Sequence, residues 1–199
     1  MDGAPRGTGS RRHFVAGALA LALSPGAFAV GESLWARLRR GGLVLLMRHA
    51  STEPGLGDPP GMRLGDCTTQ RNLSQAGRDE ARRVGERLRR EKVPIARVYT
   101  SPWCRCQETA RLAFGAAEDW EPLASFFDYP HREEDYADRV RRRIAGYASR
   151  KAGGNVVMVT HNVNIAAITR LSVATGEIVV VRPDGCCSVR TVDRLQLYK

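Results

Sequence analysis

Arg48 and His49 stand directly after a short apolar run, residues 43–47. The run has the length of a buried strand, although its periodicity fits a segment of helix as well. If it is a strand, the pair lies at its carboxyl end, where open α/β sheets bind their ligands. A guanidinium group beside an imidazole suits an anionic substrate. The alternative is an arginine in solvent and a hydrogen-bonded histidine with no chemical role.

Arg105 and His161 are the residues that could act together with this pair. Arg105 lies one turn into a predicted helix after a second strand, and His161 follows a third strand at residues 155–160. Residues at equivalent ends of parallel strands converge, so we expect two arginines and two histidines in one pocket. Arginine matches phosphate oxygens, one imidazole can attack phosphorus, and the other can stabilise the developing charge. Because these groups supply the positive charge, we expect neither a metal ion nor another cofactor.

The elements that must position these residues alternate between strand and helix. Ser74 is a good N-cap for a helix at 74–91, and Ser101-Pro102 predicts the start of a helix that ends at Gly115. The amino end of that second helix would add positive charge to the pocket. The other predicted elements are strands at 42–47, 96–100 and 177–181, a short strand within 118–127, helices within 131–151 and at 162–175, and a hairpin completed by 186–198. Long crossovers between buried strands predict a three-layer α/β/α sandwich with a mostly parallel central sheet.

A long loop and five cysteines accompany the predicted pocket. Residues 51–66 are rich in glycine and proline and begin just after His49, so we expect them to form a wall of the pocket. The five cysteines are Cys67, Cys104, Cys106, Cys186 and Cys187. We favour a disulfide from Cys67 to Cys104 or Cys106, which would pin the loop to the helix that carries Arg105. Zinc binding is the weaker alternative, because Cys104-x-Cys106 lacks the usual spacing of zinc ligands.

The amino-terminal residues are similar to a twin-arginine export signal. Arg11-Arg12 precedes the apolar segment 15–23, and Ala27-Phe28-Ala29 follows as an A-x-A cleavage site. The apolar segment is shorter than the roughly 20 residues that span a bilayer. We expect cleavage after Ala29 and a mature domain, residues 30–199, in the periplasm or elsewhere outside the cytoplasm of a bacterium. The export machinery would be a partner, with no stable membrane insertion after cleavage. An uncleaved amphipathic anchor is the alternative.

The formal charge of the 199-residue chain is +10 and comes mostly from arginine. Such a charge favours anionic partners in general, including nucleic acids, membrane surfaces and phosphorylated molecules. No basic stretch is interleaved with aromatic residues as nucleic-acid recognition would need, so we expect no nucleic-acid partner. Many of the arginines fall on predicted helices, where a solvated face is the simpler explanation.

Four sequence blocks contain the candidate residues. They are Leu46-Met47-Arg48-His49-Ala50, Asn72-Leu73-Ser74-x-x-Gly77, Tyr99-Thr100-Ser101-Pro102-x-x-Arg105-x-x-x-Thr109-Ala110 and Val159-Thr160-His161. In this order, across residues 42 to about 181, the chain resembles the histidine phosphatase superfamily, which has the phosphoglycerate-mutase-like fold. The resemblance implies that His49 is the nucleophile that becomes phosphorylated. It implies Arg48, Arg105 and His161 as the rest of the phosphate-binding pocket.

Three positions depart from the pattern of that family. Ala50 stands where the family usually has glycine, and alanine disfavours positive φ. Asn162 stands where the acid phosphatase branch often has aspartate, which argues against a phytase-like enzyme. The proton donor of the mutase branch lies on an acidic segment between the second and third strands, and the candidates here are Asp128 and Glu133. The alternative is that Asp128 caps a turn and that the acidic residues serve only the helix dipole.

The sequence predicts an exported phosphatase that hydrolyses phosphomonoesters, or another phosphoryl substrate, through a phosphohistidine on His49. Asp128 would protonate the leaving group. The substrate would be a phosphorylated small molecule or a component of the bacterial envelope. A second hypothesis is a non-catalytic protein that binds a phosphorylated ligand in the same pocket. A phosphoglycerate-type mutase is less favoured, because export would separate it from glycolytic substrates.

Overall fold

The computed structural model describes residues 32–148, 153–185 and 187–198, and the export signal predicted for residues 1–29 lies outside them. In the described residues the helices are α1 (Leu34–Arg40), α2 (Gln75–Arg90), α3 (Cys104–Phe114), α4 (Glu133–Ala148) and α5 (Asn162–Thr169). The strands are β1 (Val44–Arg48), β2 (Ile95–Thr100), β3 (Glu118–Asp119), β4 (Asn155–Thr160), β5 (Ile178–Pro183) and β6 (Val189–Leu195). Within these ranges, no helix is long and apolar enough to cross a membrane.

The strands of the described residues form one six-stranded sheet in the order β3-β2-β4-β1-β5-β6. β1 is parallel to β4, β4 is parallel to β2, and β2 is parallel to β3. β5 is antiparallel to β1 and forms an antiparallel pair with β6. The carboxyl ends of β2, β4 and β1 therefore lie side by side at one edge of the sheet.

Helices cover both faces of this sheet. On one face, α2 and α3 pack against alternate strand residues such as Leu45, Met47 and Val157. On the other face, α4 and α5 pack against the residues between them, such as Leu46 and Met158. All of β4 is buried, as a central parallel strand covered on both faces should be. The predicted three-layer α/β/α sandwich with a mostly parallel sheet is confirmed.

Two of the predicted helix boundaries are wrong. The helix after β2 starts at Cys104 instead of at Ser101-Pro102, and its N-cap is Trp103, which has an extended backbone. α5 ends at Thr169 rather than near residue 175. It stops there because Arg170 adopts a left-handed conformation with φ of 63°, and such a residue ends a helix.

Gly77 lies where α2 passes the chain segment that follows His49. A β-carbon added to Gly77 would overlap the carbonyl group of Ser51. Ser74 caps α2 by accepting a hydrogen bond from the N–H of Gly77 (3.1 Å), and its own N–H donates to the Ser51 carbonyl (3.1 Å). The block Asn72-Leu73-Ser74-x-x-Gly77 therefore fixes the start of the loop beside His49.

Gly77→Ala is expected to lower the free energy of unfolding by roughly 1–3 kcal/mol, the usual cost of forcing extra carbon into a packed site. Gly146→Ala is the matched control, because Gly146 lies within α4 and a β-carbon there would meet nothing within 4 Å. The helix propensity of alanine should make the control neutral or stabilise it by up to about 1 kcal/mol. Denaturant unfolding measures both variants, and equal stabilities would contradict the packing argument.

Candidate active site

A pocket of about 230 Å³ lies at the carboxyl edge of the sheet, beside the ends of β1 and β4. Its residues come from β1, the loop after β1, α3, the segment before α4, and the start of α5. They are Arg48, His49, Leu56, Gly57, Asp58, Arg71, Arg105, Ser125, Phe127, Asp128, His161, Asn162 and Val163. The structure therefore brings the five predicted site residues together: Arg48, His49, Arg105, Asp128 and His161.

His49 is held at the end of β1 with a defined ring orientation. The residue is 4% exposed, and its backbone N–H donates to the carbonyl of Thr160 (2.9 Å). Its Nδ1 lies 2.9 Å from the carbonyl oxygen of Ala50, which can only accept a hydrogen bond. Nδ1 therefore carries the proton, and the free lone pair is on Nε2. Burial, reinforced by the charges of Arg105 and Arg48, lowers the pKa of His49 to about 3 and keeps the ring neutral.

His161 lies next to His49, with 5.4 Å between the ring centroids. It is buried at the N-cap position of α5. Its Nε2 lies 2.8 Å from Oγ of Ser101 and 3.5 Å from Sγ of Cys106. Burial first, and then the neighbouring His49 and arginines, lower the pKa of His161 well below its ordinary value. Both imidazoles are therefore neutral near pH 7.

Ser101 contacts a histidine of the site instead of capping a helix as the sequence predicts. It follows β2, and its N–H donates to the carbonyl of Val159 (2.9 Å), which ties it to the neighbouring β4. This position brings its hydroxyl to Nε2 of His161 (2.8 Å). The same oxygen also accepts from the N–H of Trp103 (3.3 Å), so Ser101 joins the turn before α3 to the His161 ring and fixes the orientation of that ring.

The sequence predicts that the amino end of α3 contributes to the pocket, and the structure does not show this contribution. The N–H of Cys104, the first helical residue, donates to Oε1 of Gln70 (3.0 Å). Among the described residues of α3, only Arg105 lines the pocket. The helix start that borders the pocket belongs to α5, through Asn162 and Val163.

Three arginines of the pocket share one arrangement of their guanidinium groups. In each, NH1 donates to a protein acceptor: Arg48 to the Val173 carbonyl, Arg71 to the Gly55 carbonyl, and Arg105 to the Asp58 carboxylate, all at 2.7 Å. In each, the Nε atom is buried and has no hydrogen-bond partner among the described residues. Buried donors without partners cost free energy, and an anion in the pocket would satisfy them. Three guanidinium groups held by protein acceptors at one pocket are an arrangement that suits an anion.

Asp58 and Arg71 line the pocket although the sequence analysis predicts neither. Asp58 belongs to the loop 51–66, so the prediction that this loop forms a wall of the pocket is confirmed. Its carboxylate forms a buried ion pair with Arg105. Arg71 directly precedes the block that begins at Asn72. An acidic residue within a glycine- and proline-rich loop just after His49 was the available signal for Asp58.

The two candidate proton donors occupy different places. Asp128 is exposed and borders the pocket. Glu133 is exposed as the first residue of α4 and does not line the pocket. Of the two, Asp128 borders the space that a substrate would occupy.

Ala50, the departure from the family pattern beside His49, fits its position without strain. Among the described non-glycine residues, only Lys92 and Arg170 have positive φ, so alanine carries no conformational cost at position 50. Its side chain is fully buried, and its N–H donates to Oγ1 of Thr109 in α3 (3.1 Å). Alanine is therefore compatible with the position of His49.

The predicted disulfide is confirmed and joins Cys67 to Cys104, with 5.7 Å between the Cα atoms. It links the segment after the pocket loop to the first residue of α3, next to Arg105. Cys106 is buried, and burial raises the pKa of its thiol to about 12. In the part of the chain that the structure describes, no group of three or more His, Cys, Asp or Glu residues is placed to hold a metal ion. Cys104 is joined to Cys67, so it is not the free thiolate that the zinc alternative needs.

The buried neutral histidines predict a loss of stability as the pH falls. Between the ordinary pKa of 6.5 and the value of about 3 for His49, the unfolded chain binds a proton that the folded chain does not. The free energy of unfolding should therefore decrease by about 2 kcal/mol at pH 5 through His49. His161 should add to the decrease, because burial lowers its pKa in the same direction. Above pH 7 neither state is protonated, and this contribution disappears.

Denaturant unfolding between pH 7 and pH 5, in a buffer without multivalent anions, measures this decrease. His49→Asn removes one of the two titrating groups, so its stability should decline less steeply than that of the parent. A parent protein with equal stability at pH 7 and pH 5 would show that the imidazoles are not held neutral.

A family model described as the histidine phosphatase superfamily (branch 1) matches residues 44–126. The match runs from β1 through α3 and contains Arg48, His49 and Arg105. The match agrees with the histidine phosphatase superfamily that the sequence blocks resemble. A comparison with curated proteins finds no match.

Solved structures share the fold of this chain. The protein histidine phosphatase SixA complexed with tungstate aligns with a TM-score of 0.54 and 19% identity over 77% of this chain and 96% of that one. The Rv3214 protein of Mycobacterium tuberculosis gives a TM-score of 0.58 and 20% identity over 78% and 97%. A mycobacterial glucosyl-3-phosphoglycerate phosphatase gives 0.54 and 16% over 75% and 96%. These structural alignments establish the common fold, and the predicted phosphoglycerate-mutase-like class is confirmed.

Proposed function

We propose that this protein is a phosphatase that hydrolyses phosphomonoesters through a phosphohistidine on Nε2 of His49. The observation that carries the proposal is the set of three guanidinium groups, each anchored through NH1 and each with a buried Nε that lacks a partner. They line the same pocket as His49, a neutral imidazole whose lone pair is on Nε2. The three positive charges outnumber the carboxyl groups of Asp58 and Asp128 that line the same pocket, which suits an anionic phosphomonoester.

In the first step, the Nε2 lone pair of His49 attacks phosphorus while the bond to the ester oxygen breaks. The Nδ1 proton stays hydrogen-bonded to the Ala50 carbonyl, which stabilises the positive charge that the ring gains. The Nε–H groups of the three arginines hold the phosphoryl oxygens. When the Ser101 hydroxyl donates to Nε2 of His161, the Nδ1–H of that ring remains as a further donor to these oxygens.

The leaving group and the water molecule need an acid and then a base. Asp128 at the border of the pocket is the proposed acid, and it protonates the departing alkoxide. In the second step the Asp128 carboxylate takes a proton from water, the water oxygen attacks phosphorus, and the bond to Nε2 of His49 breaks. Inorganic phosphate leaves, and both residues return to their starting states.

The proposed place of action is the periplasm or another extracytoplasmic space, on a phosphorylated small molecule or an envelope component. The signal-like residues 11–29 support export, with the export machinery as a partner. The Cys67–Cys104 disulfide supports an oxidising compartment. We propose no nucleic-acid partner, because the arginines of the site line one cavity of about 230 Å³.

A non-catalytic protein that binds a phosphorylated ligand is the competing proposal. The same anchored guanidinium groups would hold a phosphorylated ligand without turnover. The exposed position of Asp128 favours this alternative more than any other feature. The proposed acid is exposed, whereas the two histidines of the site are buried.

Phosphate release from a panel of phosphomonoesters tests the proposed function, combined with trapping of the enzyme during turnover of a labelled substrate. We expect release of inorganic phosphate and an acid-labile label that maps to His49. Binding of phosphomonoesters without release would select the non-catalytic protein. Release without any phosphohistidine would reject the mechanism.

A further inference from the structure

Asp58, in the pocket loop, accepts hydrogen bonds from Arg71 and from two residues at the start of α3. Its two carboxylate oxygens lie 2.7 and 3.0 Å from NH1 of Arg105, and both side chains are almost completely buried. One oxygen also accepts from the backbone N–H of Arg71 (3.0 Å), and the other from Nε1 of Trp103 (3.1 Å). The carboxylate therefore joins the loop to the start of α3.

These contacts keep Asp58 ionised. Burial by itself would raise the pKa of the carboxyl group, but the hydrogen bonds from Arg105, Arg71 and Trp103 outweigh it and lower the pKa below its ordinary value. An ionised carboxylate has no proton to give to a leaving group. Asp58 therefore does not fit the role of proton donor, although it lines the pocket.

The ion pair determines which edge of Arg105 is left for a ligand. Asp58 takes NH1, whereas the Nε of Arg105 is buried and has no partner among the described residues. Guanidinium groups bind phosphate most firmly with two parallel N–H groups along one edge. With NH1 taken, the remaining edge is the one formed by Nε and NH2. Without Asp58, rotation of the guanidinium group would be far less restricted.

The disulfide clamps the loop beside this ion pair. Cys67 lies nine residues after Asp58, and its partner Cys104 lies between Trp103 and Arg105, the two α3-side residues that hold Asp58. The covalent bond therefore joins the two sides of the same contact. Opening it would allow the loop to move away from α3 and take Asp58 with it.

We propose that Asp58 is a positioning residue that orients Arg105 for phosphate, and that the Cys67–Cys104 disulfide holds Asp58 in place. Phosphate affinity then depends on the oxidised form of the disulfide. This inference rests on the proposed function because it requires the pocket to bind phosphate.

The role of Asp58 is tested by measuring the binding of inorganic phosphate calorimetrically, together with kcat and KM for a phosphomonoester. Asp58→Ala should weaken binding and raise KM roughly tenfold or more, the effect of one lost hydrogen bond to a charged group, with a smaller change in kcat. Asp58→Asn keeps an oxygen that accepts from Arg105, so its affinity should return to within about threefold of the parent. Asp79→Ala is the matched control, because it removes an exposed aspartate–arginine pair on α2 and should leave both constants unchanged.

Different outcomes separate the possible roles of Asp58. Equal losses in Asp58→Asn and Asp58→Ala, with the basic limb of the pH profile removed, would identify an acid–base group and overturn the proposal. Tighter phosphate binding in both variants would identify a competitor of phosphate and overturn it as well. If the parent binds phosphate and Asp58→Ala binds it equally well, this inference fails and the proposed function stands. A parent that binds no phosphate would reject both.

The role of the disulfide is tested with the double variant Cys67→Ser/Cys104→Ser, in which Cys106 cannot form a replacement bridge with Cys67. Circular dichroism confirms that the variant is folded at the assay temperature. Its KM and phosphate affinity should change as in Asp58→Ala, reductant should change the parent in the same way, and the double variant should not respond to reductant. Adding Asp58→Ala should give little further loss, because both changes remove one restraint. If the losses caused by Asp58→Ala and by the double variant multiply, the proposed role of the disulfide is wrong. It is also wrong if reductant changes neither the KM nor the phosphate affinity of the parent.

Discussion

Replacement of His49 by alanine is expected to lower kcat/KM for phosphomonoesters by a factor on the order of 10⁴ or more, the effect of removing a nucleophile. The Nε2 atom of His49 carries a free lone pair because Nδ1 donates to the Ala50 carbonyl. His161 cannot replace it, since its Nε2 is engaged by Ser101. The three guanidinium groups remain in the variant, so binding of inorganic phosphate should survive. Initial rates and calorimetric phosphate binding measure the two effects separately.

His131→Ala is the matched control for this experiment. His131 is an exposed histidine in a 3₁₀ turn before α4 and lies outside the pocket, so its removal should leave the rate at the parental value. Circular dichroism of both variants reports whether the fold is kept. A His49→Ala protein that releases phosphate as fast as the parent would remove the phosphohistidine from the mechanism.

Replacement of His161 by alanine is expected to lower kcat by about 10²–10³-fold, the effect of losing one donor to the charge that develops in a transition state. The ring is buried beside His49 and is held at its Nε2 by Ser101, which leaves one N–H for the phosphoryl oxygens. KM should change less than kcat, because the arginines supply most of the affinity for the ground state.

Single-turnover phosphorylation of the enzyme measures this effect directly. Ser101→Ala keeps the imidazole and removes only the group that orients it, so its loss of rate should be smaller than that of His161→Ala. An effect of His161→Ala on KM alone would assign His161 to substrate binding and not to the chemical step.

The residues at strand ends could be predicted because strands are visible in the sequence. The apolar runs of β1 and β4 end at Arg48-His49 and at His161, and parallel strands bring their carboxyl ends together. Arg105 could be predicted as well, although its helix starts two residues later than expected. Its distance from the end of β2 depends on the turn that connects them and not on which residue caps the helix.

The ion pair of Asp58 with Arg105 could not be predicted, because nothing periodic relates the two residues. Asp58 and Arg105 are 47 positions apart in the chain, and the loop between β1 and α2 has neither strand nor helix spacing. Ser101 shows the same limit in a different way. Its local pattern with Pro102 is typical of a helix start. Its hydroxyl nevertheless contacts His161, which is 60 positions away in the chain. In both cases a tertiary contact decides the role of the side chain.

The Cys67–Cys104 disulfide has a consequence for the order of events in the cell. Twin-arginine export moves chains that have already folded, while the cytoplasm keeps thiols reduced. On the proposed route, the precursor would therefore form its sheet and its arginine-lined pocket before it forms the disulfide that holds Asp58 in place. A folded precursor with weak phosphate affinity would hydrolyse the phosphorylated metabolites of the cytoplasm only slowly. Full phosphate affinity would appear only after the chain has crossed the membrane. Neither an inhibitor nor a propeptide would be needed to suppress the activity before that.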